Sequence, residues 1–219
     1  MKMKAFLSFI FSIALFFLII TFSIALPIFC RYFYYAHIGP LSLSEASGFT
    51  AEEIKDSYNL VLDYLTLPNK EFSTGVMAYS AEGKAHFADC KALFTLNTTV
   101  LLASTLLIII LLSLKKIKGY KAFTLGKHSA AFYSALAAVI LPVGVGILAS
   151  ADFNKAFTVF HTLFFPGKTN WIFNPYTDEI INVLPQQFFM NCAILIGASI
   201  LTLSLSILLS EKKRMRKEK

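Results

Sequence analysis

Four long apolar runs without a single Asp, Glu, Lys or Arg constrain this chain more than any other feature. They cover residues 5–27, 92–114, 129–149 and 188–210. A helix needs about 20 apolar residues to cross a hydrocarbon core of roughly 30 Å, and each run is long enough. Hydrophobic residues make up 56% of the chain, more than soluble domains carry. The sequence therefore predicts an all-α membrane protein with four transmembrane helices.

The first run differs from a cleaved signal peptide. It is longer than the usual apolar region, and bulky Ile28 and Phe29 follow Pro27 where a small-residue cleavage site is expected. The residues before Cys30 also make a poor lipobox, so we expect a retained helix. Because the four runs contain no charged residue, no ion path, proton relay or voltage sensor is predicted, and a transporter is the least supported class.

The basic residues are distributed unevenly between the two sides of the predicted spans. Thirteen of the 20 Lys and Arg residues lie before the first run, in segment 115–128 or in the tail 211–219. Segments 28–91 and 150–187 hold the other seven and 11 of the 13 acids. Basic flanks stay cytoplasmic, so we predict both termini inside and a small extracytoplasmic cap. We expect one integral membrane domain over 1–219, monomeric in the cell membrane among lipids, without nucleic-acid binding.

Two helices are predicted in the segment 28–91. Thr50 and Glu53 have capping-box spacing, and apolar residues then recur with helical period until Pro68. Residues 72–80 suggest an extended stretch. From Ser80 no proline interrupts the chain before the second span ends, so we predict one continuous helix over 80–114 with Ser80 as its cap.

Two histidines are the candidate catalytic residues. His86 and Asp89 lie three residues apart on the predicted helix, so the carboxylate could orient the imidazole and stabilise its cation. His161 shares the aromatic face of a short interfacial helix, which ends at Pro166. Trp171 then marks the head-group level. The alternative is that both are unrelated surface histidines, since His–Asp pairs are common on solvated helices and a histidine among aromatic residues is often structural.

Several other chemistries are not supported. The sequence contains no G-x-S-x-G elbow, H-E-x-x-H pair, P-loop or dinucleotide fingerprint. A zinc site from the two histidines and Asp89 has no supporting spacing, so no metal or cofactor is predicted. Cys30 and Cys90 could pair, but we expect free thiols because the cysteine count is odd. Cys90 could also serve as a nucleophile with His86, but we expect it to point away from that ring.

The chain resembles the four-span family that includes the lipoprotein intramolecular transacylase (Lit) of Gram-positive bacteria. Residues 86–91 match the pattern H-x-x-D-V-K, and 160–165 match F-H-x-L-F-F. A W-x-F-D-P element corresponds to residues 171–175, and Asp178 and Pro185 follow it. Cys90 stands where the pattern has Val, Asn174 stands where it has Asp, and residues 168–170 add length and charge.

The resemblance implies an acyltransferase that acts on a diacylglyceryl lipoprotein. The α-amino group of the lipidated cysteine would attack the sn-2 ester of its own glycerol, giving the N-acylated lyso form. His86 would then act as base, oriented by Asp89, and His161 as acid or oxyanion donor, or the two would exchange roles. Substrate contacts are expected from five further residues: Lys91, Trp171, Asp178, Phe157 and Phe164. The alternatives are a histidine-dependent lipid hydrolase or acyltransferase, and a non-enzymatic accessory protein whose cap binds a partner.

Overall fold

A computed structural model describes residues 2–119 and 123–217, in which nine helices and two short strands are present. The helices are α1 (Lys2–Phe29), α2 (Arg31–Tyr35), α3 (Leu43–Ser47), α4 (Ala51–Thr66), α5 (Ala81–Ile117), α6 (Ala130–Ala151), α7 (Phe153–Phe164), α8 (Ile180–Val183) and α9 (Gln186–Lys217). The strands are β1 (Thr124–Leu125) and β2 (His128–Ser129). Residues 120–122 of the predicted loop 115–128, and 218–219 of the predicted tail, lie outside the described residues.

Four helices are long and apolar enough to cross a membrane, as predicted. They are α1, α5, α6 and α9, and each contains one of the four charge-free runs, except that the first residue of the third run, Ser129, lies in β2. The helices α5 and α9 extend well beyond those runs, because their flanking polar residues continue the helical conformation. The chain is therefore a multi-pass membrane protein.

The chain forms two compact units, and the first contains most of the membrane-spanning residues. It consists of Met1–Ala25, Asn97–Ser150 and Leu195–Lys219. Ile19, Ala138 and Ile200 form one of its apolar clusters. Small polar side chains also link its helices: Ser12 Oγ lies 3.1 Å from Ser134 Oγ. Such bonds satisfy polar groups where water is absent.

The same unit contains the only strand pair among the described residues. Strands β1 and β2 are antiparallel, and Gly126 between them has φ +62°. A two-residue hairpin loop favours such left-handed backbone, which glycine adopts without strain. This short hairpin was not predicted, and it leaves the protein essentially all-α.

The second unit contains the residues predicted to form the site. It consists of Leu26–Leu96 and Ala151–Ile194, so it combines the segment after α1 with the segment after α6. Its core packs α3 and α4 against α8. Buried Tyr34 stacks on Tyr58 with ring centroids 3.8 Å apart, and its hydroxyl donates to the Val183 carbonyl at 2.7 Å.

The predicted capping box at the start of α4 is confirmed. The Thr50 side chain accepts from the Glu53 backbone, and the Glu53 carboxylate accepts from the Thr50 backbone N–H at 2.8 Å. The helix ends at Thr66, two residues before Pro68. Residues 72–80 adopt turns and irregular backbone, without a strand.

Candidate active site

The first turn of α5 is fixed by a buried carboxylate from a distant part of the chain. Ser80 caps the helix, because its Oγ accepts from the Gly83 N–H at 2.9 Å. Asp178 is 4% exposed, and its Oδ1 accepts from the Ser80 N–H at 2.8 Å. Ala78 and Glu179 exchange two further hydrogen bonds beside it. A carboxylate at a helix N-terminus is favourable, so Asp178 holds the start of the helix that carries His86.

His86 lies at the second turn of α5 and is only 6% exposed. Its Nε2 is 3.3 Å from Cys90 Sγ, one helical turn further along. Its Nδ1 is buried and has no hydrogen-bond partner. Phe165 and Phe173 pack edge-on against the ring, at centroid distances of 4.9 and 5.4 Å. A buried polar atom without a partner is costly, so Nδ1 is a natural contact point for a substrate.

His161 comes from α7 and is 7% exposed. Its Nδ1 lies 2.8 Å from the Phe157 carbonyl, which can only accept, so Nδ1 carries the proton. In the neutral ring Nε2 is therefore the acceptor. Trp171 stacks on the imidazole at 4.5 Å with an interplanar angle of 27°. Burial lowers the pKa of His161 below its ordinary value, and the hydrogen bond to Phe157 offsets part of this shift.

The fold brings the two predicted histidines together. Their ring centroids are 5.8 Å apart, although they come from the two different segments of the unit. Nε2 of His161 can accept a hydrogen bond, and Nδ1 of His86 is buried without a hydrogen-bond partner. Two such groups side by side can move a proton and stabilise a developing charge.

Asp89 does not make the hydrogen bond to His86 that we expected. Its carboxylate accepts from Lys168 Nζ and from Asn170 Nδ2, the latter at 3.1 Å. The spacing of three residues put Asp89 near the ring, but the loop after α7 supplies stronger donors for its oxygens. The nitrogen Nε2 of His86 instead faces Cys90, and our expectation that Cys90 points away was wrong. Four residues along a helix return to the same face, so helical spacing contained this signal.

The five predicted substrate contacts lie in different environments. Trp171 and Phe157 touch His161, the latter with ring centroids 4.2 Å apart. Phe164 is 47% exposed on α7, and its ring packs against that of Phe160. The Nζ of Lys91 lies 4.3 Å above the ring of Tyr64. The carboxylate of Asp178 accepts from the Ser80 N–H and so holds the start of α5.

Two aromatic residues of the site were not predicted as site residues. Phe165 is 4% exposed and contacts both histidines, and Phe173 contacts the ring of His86. They follow α7 in a loop whose path depends on tertiary packing. The aromatic periodicity of α7 pointed to Phe164 instead, which faces outward.

The other two histidines lie outside this arrangement. His37 Nδ1 lies 2.6 Å from the Phe33 carbonyl, and His128 lies 3.3 Å from a Glu211 carboxylate oxygen. The three cysteines are free, as expected. Within the described ranges, no group of three His, Cys, Asp or Glu residues is placed to hold a metal ion.

Comparison with known proteins identifies the family. A family model described as "Lipoprotein intramolecular transacylase Lit" matches residues 9–189. The membrane-integral lipoprotein intramolecular transacylase Lit from Bacillus cereus has the same fold, with a TM-score of 0.87 and 25% sequence identity. That match covers 99% of this chain and 98% of the other.

Two solved variants of the Bacillus cereus protein also match, one with a histidine replaced by arginine and one with a histidine replaced by alanine. Each has a TM-score of 0.79 and 23% identity over 99% of this chain, covering 94% and 96% of the other. No curated protein matches the sequence. Because the family model spans most of its length, the chain belongs to the lipoprotein intramolecular transacylase family Lit, a family of membrane acyltransferases.

Proposed function

We propose that this acyltransferase moves the sn-2 acyl chain of a diacylglyceryl cysteine onto the α-amino group of the same cysteine. His86 and His161 form the catalytic pair. The observation that carries this proposal is their juxtaposition: two buried imidazoles with centroids 5.8 Å apart, each with a nitrogen open to a ligand. The lyso form of the lipoprotein is the product.

His161 is the base in this proposal. Its Nδ1 proton is engaged by the Phe157 carbonyl, which leaves Nε2 to accept a proton from the attacking amine. Burial keeps the pKa of His161 below its ordinary value, so the ring is neutral at pH 7. An α-amino group titrates near 7.7–8.0, so a sizeable neutral fraction is present for attack.

His86 is the donor to the developing oxyanion. We expected it to be the base, but the Asp89 carboxylate, which would stabilise its cation, is paired with Lys168 and Asn170. A neutral imidazole buried among aromatic rings is better suited to donate a hydrogen bond than to accept a full charge. Its unpartnered Nδ1 supports this exchange of roles.

The acyl chain then passes directly from the glycerol oxygen to the amine, without an acyl-enzyme intermediate. The amine nitrogen attacks the ester carbon, and its proton moves to Nε2 of His161. The C–O bond to the glycerol breaks, and the same proton passes from His161 to the departing oxygen. Both reacting groups belong to one molecule, so holding them in attack geometry supplies much of the rate, with roughly 7–11 kcal/mol available from proximity.

The setting of the pair matches a lipid substrate. Phe160, Leu163 and Phe164 on α7 are 47–70% exposed, which gives this helix an outer apolar strip. We propose that this strip lies in the outer leaflet, with both termini cytoplasmic, and that acyl chains lie beside it. Trp171 would cover the reacting ester, Lys91 would lie near the head group, and Asp178 would position α5. The enzyme acts as a monomer, without metal or cofactor.

The test is the chemical state of a lipoprotein N-terminus. We expect His86→Ala and His161→Ala each to abolish conversion of a reporter lipoprotein in a host that lacks such activity, whereas the wild type yields the lyso form. Mass spectrometry of the N-terminal peptide distinguishes acyl transfer from simple deacylation. His37→Ala is the matched control, because His37 also bonds a backbone carbonyl but lies away from the pair. Full conversion by either site variant would refute the proposed mechanism.

The same measurement separates the alternatives. Loss of the sn-2 chain without N-acylation would indicate a hydrolase. Unchanged N-termini with wild-type protein, properly inserted in the membrane, would indicate an accessory protein. Insertion is checked for every variant by membrane fractionation.

A further inference from the structure

The contact between His86 and Cys90 takes no part in the reaction proposed above. Cys90 follows His86 by four residues on α5, and its Sγ lies 3.3 Å from Nε2. Cys90 is partly buried beneath the ring and packs against the core of its unit.

We propose that Cys90 is a positioning residue, whose thiol donates its proton to Nε2 of His86 and thereby keeps the ring proton on Nδ1. This inference rests on the proposed role of His86 as oxyanion donor. It identifies the Cys90 thiol as the group that makes Nδ1 the donating nitrogen.

The chemistry of the two groups decides the direction of this hydrogen bond. A thiol ordinarily titrates near 8.5 and so carries its proton at neutral pH. Sulfur is a weak acceptor, whereas an imidazole nitrogen is a good one. A neutral imidazole carries only one ring proton, so if Nε2 accepts, Nδ1 must donate.

The surroundings of His86 leave Cys90 as the residue that selects the tautomer. Nε2 contacts the thiol, and Nδ1 has no partner. The rings of Phe165 and Phe173 contact the imidazole through carbon atoms and offer it no hydrogen-bonding atom. Without the thiol, the proton would distribute over both nitrogens, and only part of the enzyme would present a donor to the ester.

Replacing Cys90 by serine and by valine separates hydrogen bonding from packing. Cys90→Ser keeps a donor at this position, so we expect activity near that of the wild type. Cys90→Val fills the space but removes the donor, so we expect kcat to fall about fivefold with KM unchanged, the effect of one neutral hydrogen bond. If Cys90 only filled space, the order would be reversed, with valine active and serine impaired.

The tautomer itself is measured by ¹⁵N NMR. The chain has four histidines, so the His86 signals can be assigned by comparison with His86→Ala. We expect the wild type and Cys90→Ser to show a protonated Nδ1, and Cys90→Val to show a mixture. Cys192→Val is the matched control, because Cys192 is a partly buried cysteine of the same unit that packs on the core. It should change neither kcat nor the His86 tautomer.

Two outcomes would overturn the proposal. One is a Cys90→Val enzyme with unchanged kcat, and the other is a wild-type His86 protonated on Nε2. Neither affects the proposed function, provided that His86→Ala remains inactive. If His86→Ala is active, the proposed function and this inference fail together.

Discussion

Gly83→Ala should destabilise the protein, although the same change inside a helix normally stabilises it. A methyl group on Gly83 would overlap the Oδ1 atom of Asp178 and lie 3.0 Å from its Cγ. Phe173 Cε1 would be 3.3 Å away. Because both neighbours are packed, the carboxylate must move away from the Ser80 N–H that it now bonds at 2.8 Å.

The magnitude follows from two opposing effects. Losing a hydrogen bond to a charged group costs about 1.5–3 kcal/mol. Replacing glycine by alanine in a helix gains about 1 kcal/mol. We therefore expect a net loss of about 0.5–2 kcal/mol in the free energy of unfolding, and a lower kcat, because His86 lies one turn further along the same helix.

The assay compares thermal unfolding of the purified protein in detergent with conversion of the reporter lipoprotein. Gly144→Ala is the control, since Gly144 lies in helix α6 and has nothing within 4 Å of the added methyl group. It should be neutral or stabilising by up to about 1 kcal/mol.

A double variant tests the cause directly. In an Asp178→Ala background the carboxylate is absent, so Gly83→Ala should become stabilising. A change of sign between the two backgrounds is the signature of direct contact. If Gly83→Ala is as stable and as active as the wild type, or if its effect is the same in both backgrounds, the assignment of Asp178 to the start of α5 is wrong.

Three further predictions concern the site and its support. Because burial lowers the pKa of His161 below 6.5, we expect kcat/KM to rise towards pH 8 with the substrate amine and to lose the His161 contribution only below pH 6.5. A limb from the base at or above pH 6.5 would contradict this. Lys168→Ala breaks the exposed ion pair with Asp89. The melting temperature should hardly change, because exposed pairs contribute little, while KM rises about two- to threefold as the loop after α7 loosens; an unchanged KM would show that the pair does not hold this loop. Tyr34→Phe leaves the Val183 carbonyl unpaired, so the free energy of unfolding should fall by about 1–3 kcal/mol with kcat retained at low temperature; equal stability would show that the bond contributes nothing.

Elements governed by local sequence were predictable. The capping box at Thr50 and the uninterrupted helix from Ser80 depend on residues a few positions apart, and both are present. The same is true of the four spans, whose apolar length leaves no alternative in a bilayer. Helical spacing also places Cys90 on the same face as His86, although we expected its side chain to point away from that ring.

The contacts made by the loop after α7 could not be predicted in this way. The pairing of Asp89 with Lys168, and the position of Phe165 against both histidines, depend on where residues 165–173 run across α5. No local periodicity encodes that path. The sequence context of the two histidines made them candidates, but it did not reveal the contacts on which their proposed roles depend.

The stacking of Trp171 on His161 has a spectroscopic consequence. The chain contains one tryptophan, so the native enzyme carries a single indole fluorophore, in contact with the proposed base. A protonated imidazole quenches indole emission, whereas a neutral one does so far less. The intrinsic fluorescence of the unmodified protein therefore reports the charge of one side chain, and an acyl chain that separates the two rings would register as a change in emission before any product forms.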